Sequence, residues 1–197
     1  MFEQLNRILF HLINQYAGLN PFADAAAIFA AKYMPLVIIL GLIYLWIKRN
    51  DTRDVILYGA YAAVLGLLLN FIIGLVYYHP RPFMMHVGTL LFPYSPDSSF
   101  PSDHTTFMLS AAFMLTYFKK TRTPGLILVV LGLIGGFARV FCGVHFPLDI
   151  LGSVLVALVI SILVYQFRNS LKPLNNIFKR MYSKLTRMFA RMFAIIN

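Results

Sequence analysis

The chain has 197 residues, 59% of them hydrophobic and only 12% charged, with a mean hydropathy of +0.74. Soluble domains average about half apolar and about a quarter charged, so a soluble globular protein is excluded and a single integral membrane domain is expected. The net charge of +10 would suggest a nucleic-acid partner in a soluble chain; here its placement along the sequence argues for membrane topology, and no nucleic-acid partner is expected.

Residues 1–16 place Phe2, Leu5, Ile8, Leu9, Leu12, Ile13 and Tyr16 at helical spacing, interrupted by Glu3, Arg7, His11 and Asn14. The stretch is too short and too polar to span, and it does not read as a cleavable signal peptide. It is expected either to lie in the outer interface or to pack on the bundle as a short helix. Asn20-Pro21 then turns the chain into the first span. Five apolar runs follow, near 23–47, 55–78, 104–118, 124–142 and 148–167, each expected to be a helix because a segment in lipid must satisfy its own backbone. The expected fold class is therefore all-α: an integral membrane helical bundle of about five transmembrane helices. The N-terminal helix precedes it, and a basic amphipathic C-terminal helix follows. Residues 1–170 form the membrane domain and 171–197 the tail. The single cysteine, Cys142, permits no intrachain disulfide.

The breaks between the runs differ in kind. Lys48-Arg49-Asn50-Asp51-Thr52-Arg53, Lys119-Lys120-Thr121-Arg122 and the tail carrying Arg168, Lys172, Lys179, Arg180, Lys184, Arg187 and Arg191 hold all but four of the 17 Lys and Arg. The positive-inside rule puts these breaks in the cytoplasm and the N-terminus, 79–103 and 139–147 outside. In the tail, Ile177, Met181, Leu185, Met188 and Met192 oppose the basic face, which is expected to rest on anionic headgroups; a partner-binding helix is the alternative. The four remaining cations are Arg7, Lys32, Arg81 and Arg139. The last two sit in outward breaks, against the topological bias. Snorkelling to the headgroups is the alternative for either one alone.

The outward breaks also carry the reactive residues. In His79-Pro80-Arg81-Pro82 the prolines present Arg81 on a stiff turn, and its planar fork suits phosphate oxygens. In Phe100-Pro101-Ser102-Asp103-His104, Ser102 is a natural N-cap for the third span. A helix N-terminus offers free N–H groups and a positive dipole end to an anion, with His104 in its first turn. In the fourth break Arg139 ends one span, and His145 lies four residues from Asp149 beside Pro147, which fits a first helical position. One helical turn can bring that carboxylate to the imidazole and orient Nε2 as a nucleophile; helix capping is the alternative role for the same pair.

Arg81-Pro82, Pro101-Ser102-x-His104 and Arg139-x5-His145-x3-Asp149 together resemble the three-part signature of the type-2 phosphatidic acid phosphatase superfamily. The signature covers residues 74–149, and the surrounding spans extend the match over most of the chain. Tyr77-Tyr78-His79-Pro80-Arg81-Pro82-Phe83 and Ser99-Phe100-Pro101-Ser102-Asp103-His104-Thr105-Thr106 more closely resemble the bacterial undecaprenyl diphosphatases of the bacitracin-resistance type. The resemblance implies a multi-pass enzyme of the bacterial cytoplasmic membrane, with its site facing outside. It implies hydrolysis of a long prenyl diphosphate through a phosphohistidine on His145. Asp149 orients His145, and His104 serves as acid and then base. Arg81, Ser102, Arg139 and the backbone N–H groups of Asp103 and His104 hold the phosphate oxygens. No cofactor and no metal are implied, and a homo-oligomer is compatible with it. Two positions depart from the pattern: Gly74 stands where the family usually has lysine, and Ala138 where it usually has serine. Related chemistries would be phosphatidylglycerophosphate or phosphatidic acid hydrolysis, or lipid-to-lipid phosphate transfer. Transport without catalysis, and haem binding through His104 and His145, are readings of a different class. His79 and His86 read as loop or interface histidines.

Overall fold

The computed structural model describes residues 2–196, with side chains from 3 to 188, so Arg191 and Met192 of the expected tail pattern lie outside the described side chains. Seven helices run in order: α1 (Phe2–Asn14), α2 (Pro21–Lys48), α3 (Arg53–Val76), α4 (Asp103–Thr116), α5 (Arg122–Phe141), α6 (Pro147–Phe167) and α7 (Lys172–Ile196). Short 3-10 turns occupy Asn50–Thr52 and Pro82–Met85, and no strand occurs among the described residues. Asn20 caps α2 by accepting from the N–H groups of Phe22 and Ala23 at 3.0 and 3.2 Å, with Pro21 in the first turn where no N–H is needed. Pro147 opens α6 in the same way.

Four helices are long and apolar enough to cross a membrane: α2, α3 with its preceding turn, α5 and α6. The third expected span is α4, and it has only 14 residues. At 1.5 Å per residue that is about 21 Å, short of about 30 Å of hydrocarbon. Its position explains its sequence. α4 packs against α3, α5 and α6, and its buried residues include Thr105, Thr106 and Ser110 beside Met108, Leu109 and Leu115. A helix surrounded by protein can carry hydroxyls that a lipid-facing helix cannot. Gly66 of α3 lets α4 approach closely, since a Cβ there would lie 2.8 Å from Ser110 Oγ and 2.9 Å from Thr106 Cγ2. The apolar core around Ile38, Met108, Ala112, Leu115 and Leu128 joins α2, α4 and α5.

The basic breaks gather at one end of the bundle. Arg49 donates to the Lys120 carbonyl at 3.3 Å, and Lys120 pairs with Asp51 at 3.0 Å. α7 docks onto the same end through Lys179 and Asn175, each 2.8 Å from Asp54, and buried Asn175 also accepts from Tyr61 at 2.9 Å. On α7, Ile177, Met181, Leu185 and Met188 remain exposed. At the other end α1 packs on α5 and α6. Its buried stripe is Asn6, Phe10 and Asn14, while Leu5, Ile8 and Leu12 face outward. Asn14 donates to the carbonyls of Thr89 and Phe141 at 2.8 and 2.7 Å, and Asn6 accepts from the Leu148 N–H at 3.0 Å. Of the two alternatives for this helix, packing on the bundle is therefore realised, and the apolar stripe is the face left over.

Candidate active site

The end opposite the basic breaks holds the three reactive segments. After α3 stops at Tyr77, the extended His79-Pro80-Arg81 segment carries Arg81 inward, where it is only 5% exposed. Its guanidinium is fully engaged. Nε and Nη2 bond Asp97 Oδ1 at 2.7 and 2.6 Å, Nη2 also bonds the Ser98 carbonyl at 3.1 Å, and Nη1 bonds the Val144 carbonyl at 2.9 Å. Nη1 also lies 3.0 Å from His145 Nε2. Arg139, in the last turn of α5, is 1% exposed and donates from Nη1 to the Ala31 carbonyl at 3.0 Å and from Nη2 to the Tyr94 hydroxyl at 2.6 Å. Its Nε is buried without a hydrogen-bond partner among the described residues. The ring of Tyr94 lies against both guanidinium groups, 4.6 Å from that of Arg81 and 5.0 Å from that of Arg139.

Between α5 and α6 the chain turns through Gly143, whose φ of +79° suits glycine, and delivers His145 into the interior. Asp149 sits in the first turn of α6, with Oδ2 accepting from the Phe146 N–H at 2.7 Å and from the Ser99 hydroxyl. The same oxygen is 3.5 Å from His145 Nδ1, and Ser99 Oγ is 3.3 Å from it. Asp149 thus caps its helix and faces the histidine at once. The surroundings assign the His145 tautomer: Nδ1 meets a carboxylate and a hydroxyl, so it carries the proton, while Nε2 meets an arginine donor and presents its lone pair. Burial, reinforced by the nearby Arg139 and Arg81 charges, pushes the His145 imidazolium down to about 3 against the pull of Asp149. The ring is neutral at neutral pH.

The second segment departs from expectation in one respect. Ser102 occupies the N-cap position of α4 but makes no side-chain cap bond. It is fully buried; its N–H donates to Ser153 Oγ of α6 at 2.8 Å, and its hydroxyl accepts from Thr105 at 3.2 Å. α6 competes for the serine, and the first N–H groups of α4 keep no intrahelical acceptor. The Asp103 carboxylate accepts from Asn70 Nδ2 at 2.9 Å, so it is its backbone rather than its side chain that can face an anion. His104 is half-buried, makes no hydrogen bond among the described residues, and lines an apolar cavity of about 220 Å³ with Pro35, Leu67 and Phe107. Phe107 also lines a neighbouring apolar cavity of about 320 Å³ between α2 and α3. Gly74 opens into a third cavity of about 280 Å³ that Arg81, Asp97, Ser98 and Asp103 share, and a Cβ at Gly74 would meet nothing within 4 Å.

Arg81, His145 and Asp149 are thus in mutual reach, with Arg139 joined to them through Tyr94. Ser102 lies behind the α4 N-terminus, and His104 stands at the cavity mouth. Sequence reasoning missed Tyr94, Ser98 and Ser99, and it gave Asp97 and His79 no role. All but His79 belong to one irregular loop. Only Ser99 offered a signal, as a hydroxyl contiguous with the Phe100–His104 segment. His86 is exposed and takes no part.

The PAP2 superfamily profile matches residues 54–173, which include every one of these segments. Undecaprenyl-diphosphatase BcrC of Bacillus subtilis is 35% identical over 188 residues, covering 93% of this chain and 96% of that one. A Bacillus licheniformis relative named bacitracin transport permease protein BcrC is 32% identical over 171 residues, covering 83% of this chain and 81% of its own. Among solved structures, Aquifex aeolicus LpxE superposes with a TM-score of 0.70 at 29% identity, over 82% of this chain and 95% of its own.

Proposed function

Because the chain belongs to the PAP2 superfamily, we propose that it hydrolyses undecaprenyl diphosphate to undecaprenyl phosphate and phosphate through a phosphohistidine intermediate. It is a multi-pass membrane phosphatase, and the substrate is the one named for the Bacillus subtilis relative. One observation carries the mechanism: the Nε2 lone pair of a buried neutral His145 lies 3.0 Å from a nitrogen of Arg81. The nucleophile and Nη1 of Arg81 occupy one spot, so a phosphate that takes the place of Asp97 on this arginine arrives at the attacking atom.

In the first step His145 Nε2 attacks the terminal phosphorus and the bond to the bridging oxygen breaks. His104 gives its proton to the leaving undecaprenyl phosphate. Arg81, the free Nε–H of Arg139 and the backbone N–H groups of Asp103 and His104 hold the equatorial oxygens, with Ser102 supporting that helix start. Asp149 matches the positive charge that forms on the phosphorylated imidazole. In the second step His104 takes a proton from water, hydroxide attacks phosphorus, the P–N bond breaks and His145 returns neutral. No metal is used. The apolar cavities beside His104 support a substrate whose chain stays in lipid while its headgroup reaches the site.

The site lies at the bundle end away from the basic breaks, which supports an outward-facing site and a cytoplasmic tail resting on anionic lipid. Recycling of the envelope lipid carrier and lowered sensitivity to bacitracin follow from that activity. The Bacillus licheniformis relative's name favours a second reading, transport. Phosphate release from undecaprenyl diphosphate, phosphatidylglycerophosphate and phosphatidic acid, measured in detergent with EDTA and no second lipid, tests the proposal. The prenyl diphosphate should be strongly preferred. No release from any of the three would favour transport, and a phospholipid preference would overturn the substrate assignment.

A further inference from the structure

The geometry points to His79 as a positioning residue for this reaction: held between Glu3 of α1 and Asp149 of α6, it fixes the carboxylate that faces His145. The inference rests on the reading of His145 as nucleophile and Asp149 as its partner.

The two oxygens of Asp149 are used differently. Oδ2 takes the Phe146 N–H and the Ser99 hydroxyl and faces His145. Oδ1 faces His79 Nδ1 at 3.4 Å. The other ring nitrogen of His79, Nε2, lies 3.5 Å from Glu3 Oε2. The His79 ring stacks on Tyr77 at 6.2 Å and 8° and packs against Phe146 at 5.4 Å. Its backbone is pinned as well: the N–H donates to Ser98 Oγ at 3.3 Å, and the carbonyl accepts from the Ser99 N–H at 2.7 Å. The His79 backbone is thereby tied to Ser99, whose hydroxyl holds Asp149 from the other side.

The charged groups around His79 are few and of one sign on contact. Glu3 faces it from α1, with Arg7 on the other Glu3 oxygen at 3.1 Å. Asp149 faces it from α6, with His145 beyond. Arg81, two residues along the same segment, directs its charge to Asp97. The Asp149 contact first, and Glu3 after it, hold the His79 imidazolium above its ordinary value despite partial burial. His79 Nδ1 is buried without a hydrogen-bond partner among the described residues, so the contacts are ion pairs: a protonated ring presents one charged N–H toward each carboxylate, at 3.4 Å from Asp149 and 3.5 Å from Glu3. With Oδ1 occupied, Oδ2 stays turned to His145, where positive charge appears when the phosphohistidine forms. Charge is present below the raised value and is lost as pH rises through it, so the turnover rate should show an alkaline limb to which His79 contributes. The same contact joins α1, whose apolar stripe is exposed, to the residues around His145.

The test measures phosphate release from undecaprenyl diphosphate in detergent, with pH profiles and melting curves, for four variants. His79→Ala should lower kcat about 10- to 100-fold, the scale of one charge contact to a buried carboxylate, with KM within about twofold. His79→Asn places an amide nitrogen near the position of Nδ1; it should recover kcat to within about fivefold of wild type and remove the part of the alkaline limb that His79 contributes, leaving that of the acid His104. Glu3→Gln should move that limb to lower pH, which loss of mere structural support would not do. His145→Ala separates this inference from its premise. If it retains turnover, the nucleophile assignment fails and His79 fails with it; if it is inactive while His79→Ala runs at full rate, only the role of His79 is overturned. An alkaline limb in His79→Asn identical to that of wild type, a limb unmoved in Glu3→Gln, or equal impairment of the Ala and Asn variants would also overturn it. Should the alanine variant fail to fold, the asparagine and glutamine variants carry the same decision.

Discussion

Replacing Arg139 by lysine separates charge from fork. Two of the arginine's nitrogens are committed to protein, Nη1 to the Ala31 carbonyl at 3.0 Å and Nη2 to the Tyr94 hydroxyl at 2.6 Å, and only Nε is buried without an acceptor. A lysine ammonium can serve one of those two acceptors and keep the positive charge near Tyr94. It has no planar geometry with which to hold the anchor and present a third donor at once. The loss is one charge-assisted hydrogen bond to a phosphate oxygen, about 1.5–3 kcal/mol. At about 1.4 kcal/mol per decade, kcat/KM should fall roughly 10- to 150-fold. Phosphate release from undecaprenyl diphosphate gives the rate, and a melting curve in the same detergent shows whether the fold survives. A folded Arg139→Lys enzyme within about twofold of wild type would refute the view that the free Nε–H binds the transferring phosphoryl group.

Other outcomes follow from the same geometry. Asp97 occupies the Arg81 fork and is 62% exposed, so it competes with phosphate for the arginine. Asp97→Asn should tighten inhibition by inorganic phosphate about two- to fivefold, and unchanged or weaker inhibition would count against that competition. His145 should stay neutral and Nδ1-protonated from pH 5 to 8 in nitrogen NMR of the detergent-solubilised protein, since its value is pushed down to about 3. A titration step near pH 6.5 would show that burial does not govern it. Gly143→Ala puts a side chain at a φ of +79° and presses its Cβ against the Thr89 carbonyl. The left-handed conformation costs about 1–2 kcal/mol and the contact adds more, so the melting temperature should drop and activity with it. An unshifted melting curve would mean the turn relaxes freely.

Much of the architecture was legible because long apolar runs are separated by breaks of contrasting charge. The five expected runs match α2 to α6 within a few residues. α4 reads weakly in hydropathy for a physical reason: Thr105, Thr106 and Ser110 face protein, and the helix is too short to meet both interfaces. The packing of α1 was not decidable from periodicity alone, since its buried stripe mixes Asn6 and Asn14 with Phe10 while Leu5, Ile8 and Leu12 face out. At the site, Arg81, His145 and Asp149 stood out because ionisable residues at the ends of apolar runs away from the basic breaks need a reason to be there. Tyr94 and Asp97 did not, because a loop without periodicity carries no signal of what it touches across space. The expected cap at Ser102 is not formed: its hydroxyl accepts from Thr105 Oγ1 instead of a backbone N–H, while its own N–H is held by Ser153, 51 residues later in sequence.

The central claim is covalent catalysis at His145. Rapid quenching of the enzyme under alkaline conditions, during turnover of undecaprenyl diphosphate labelled in its terminal phosphate, tests it most directly. Label should appear on His145, located by peptide mass spectrometry, and should be lost on acid treatment. It should accumulate in His104→Gln, where water activation is slowed, and be absent in His145→Ala. Wild-type turnover with no label on the protein at any quench time, or with label on another residue, would contradict the account.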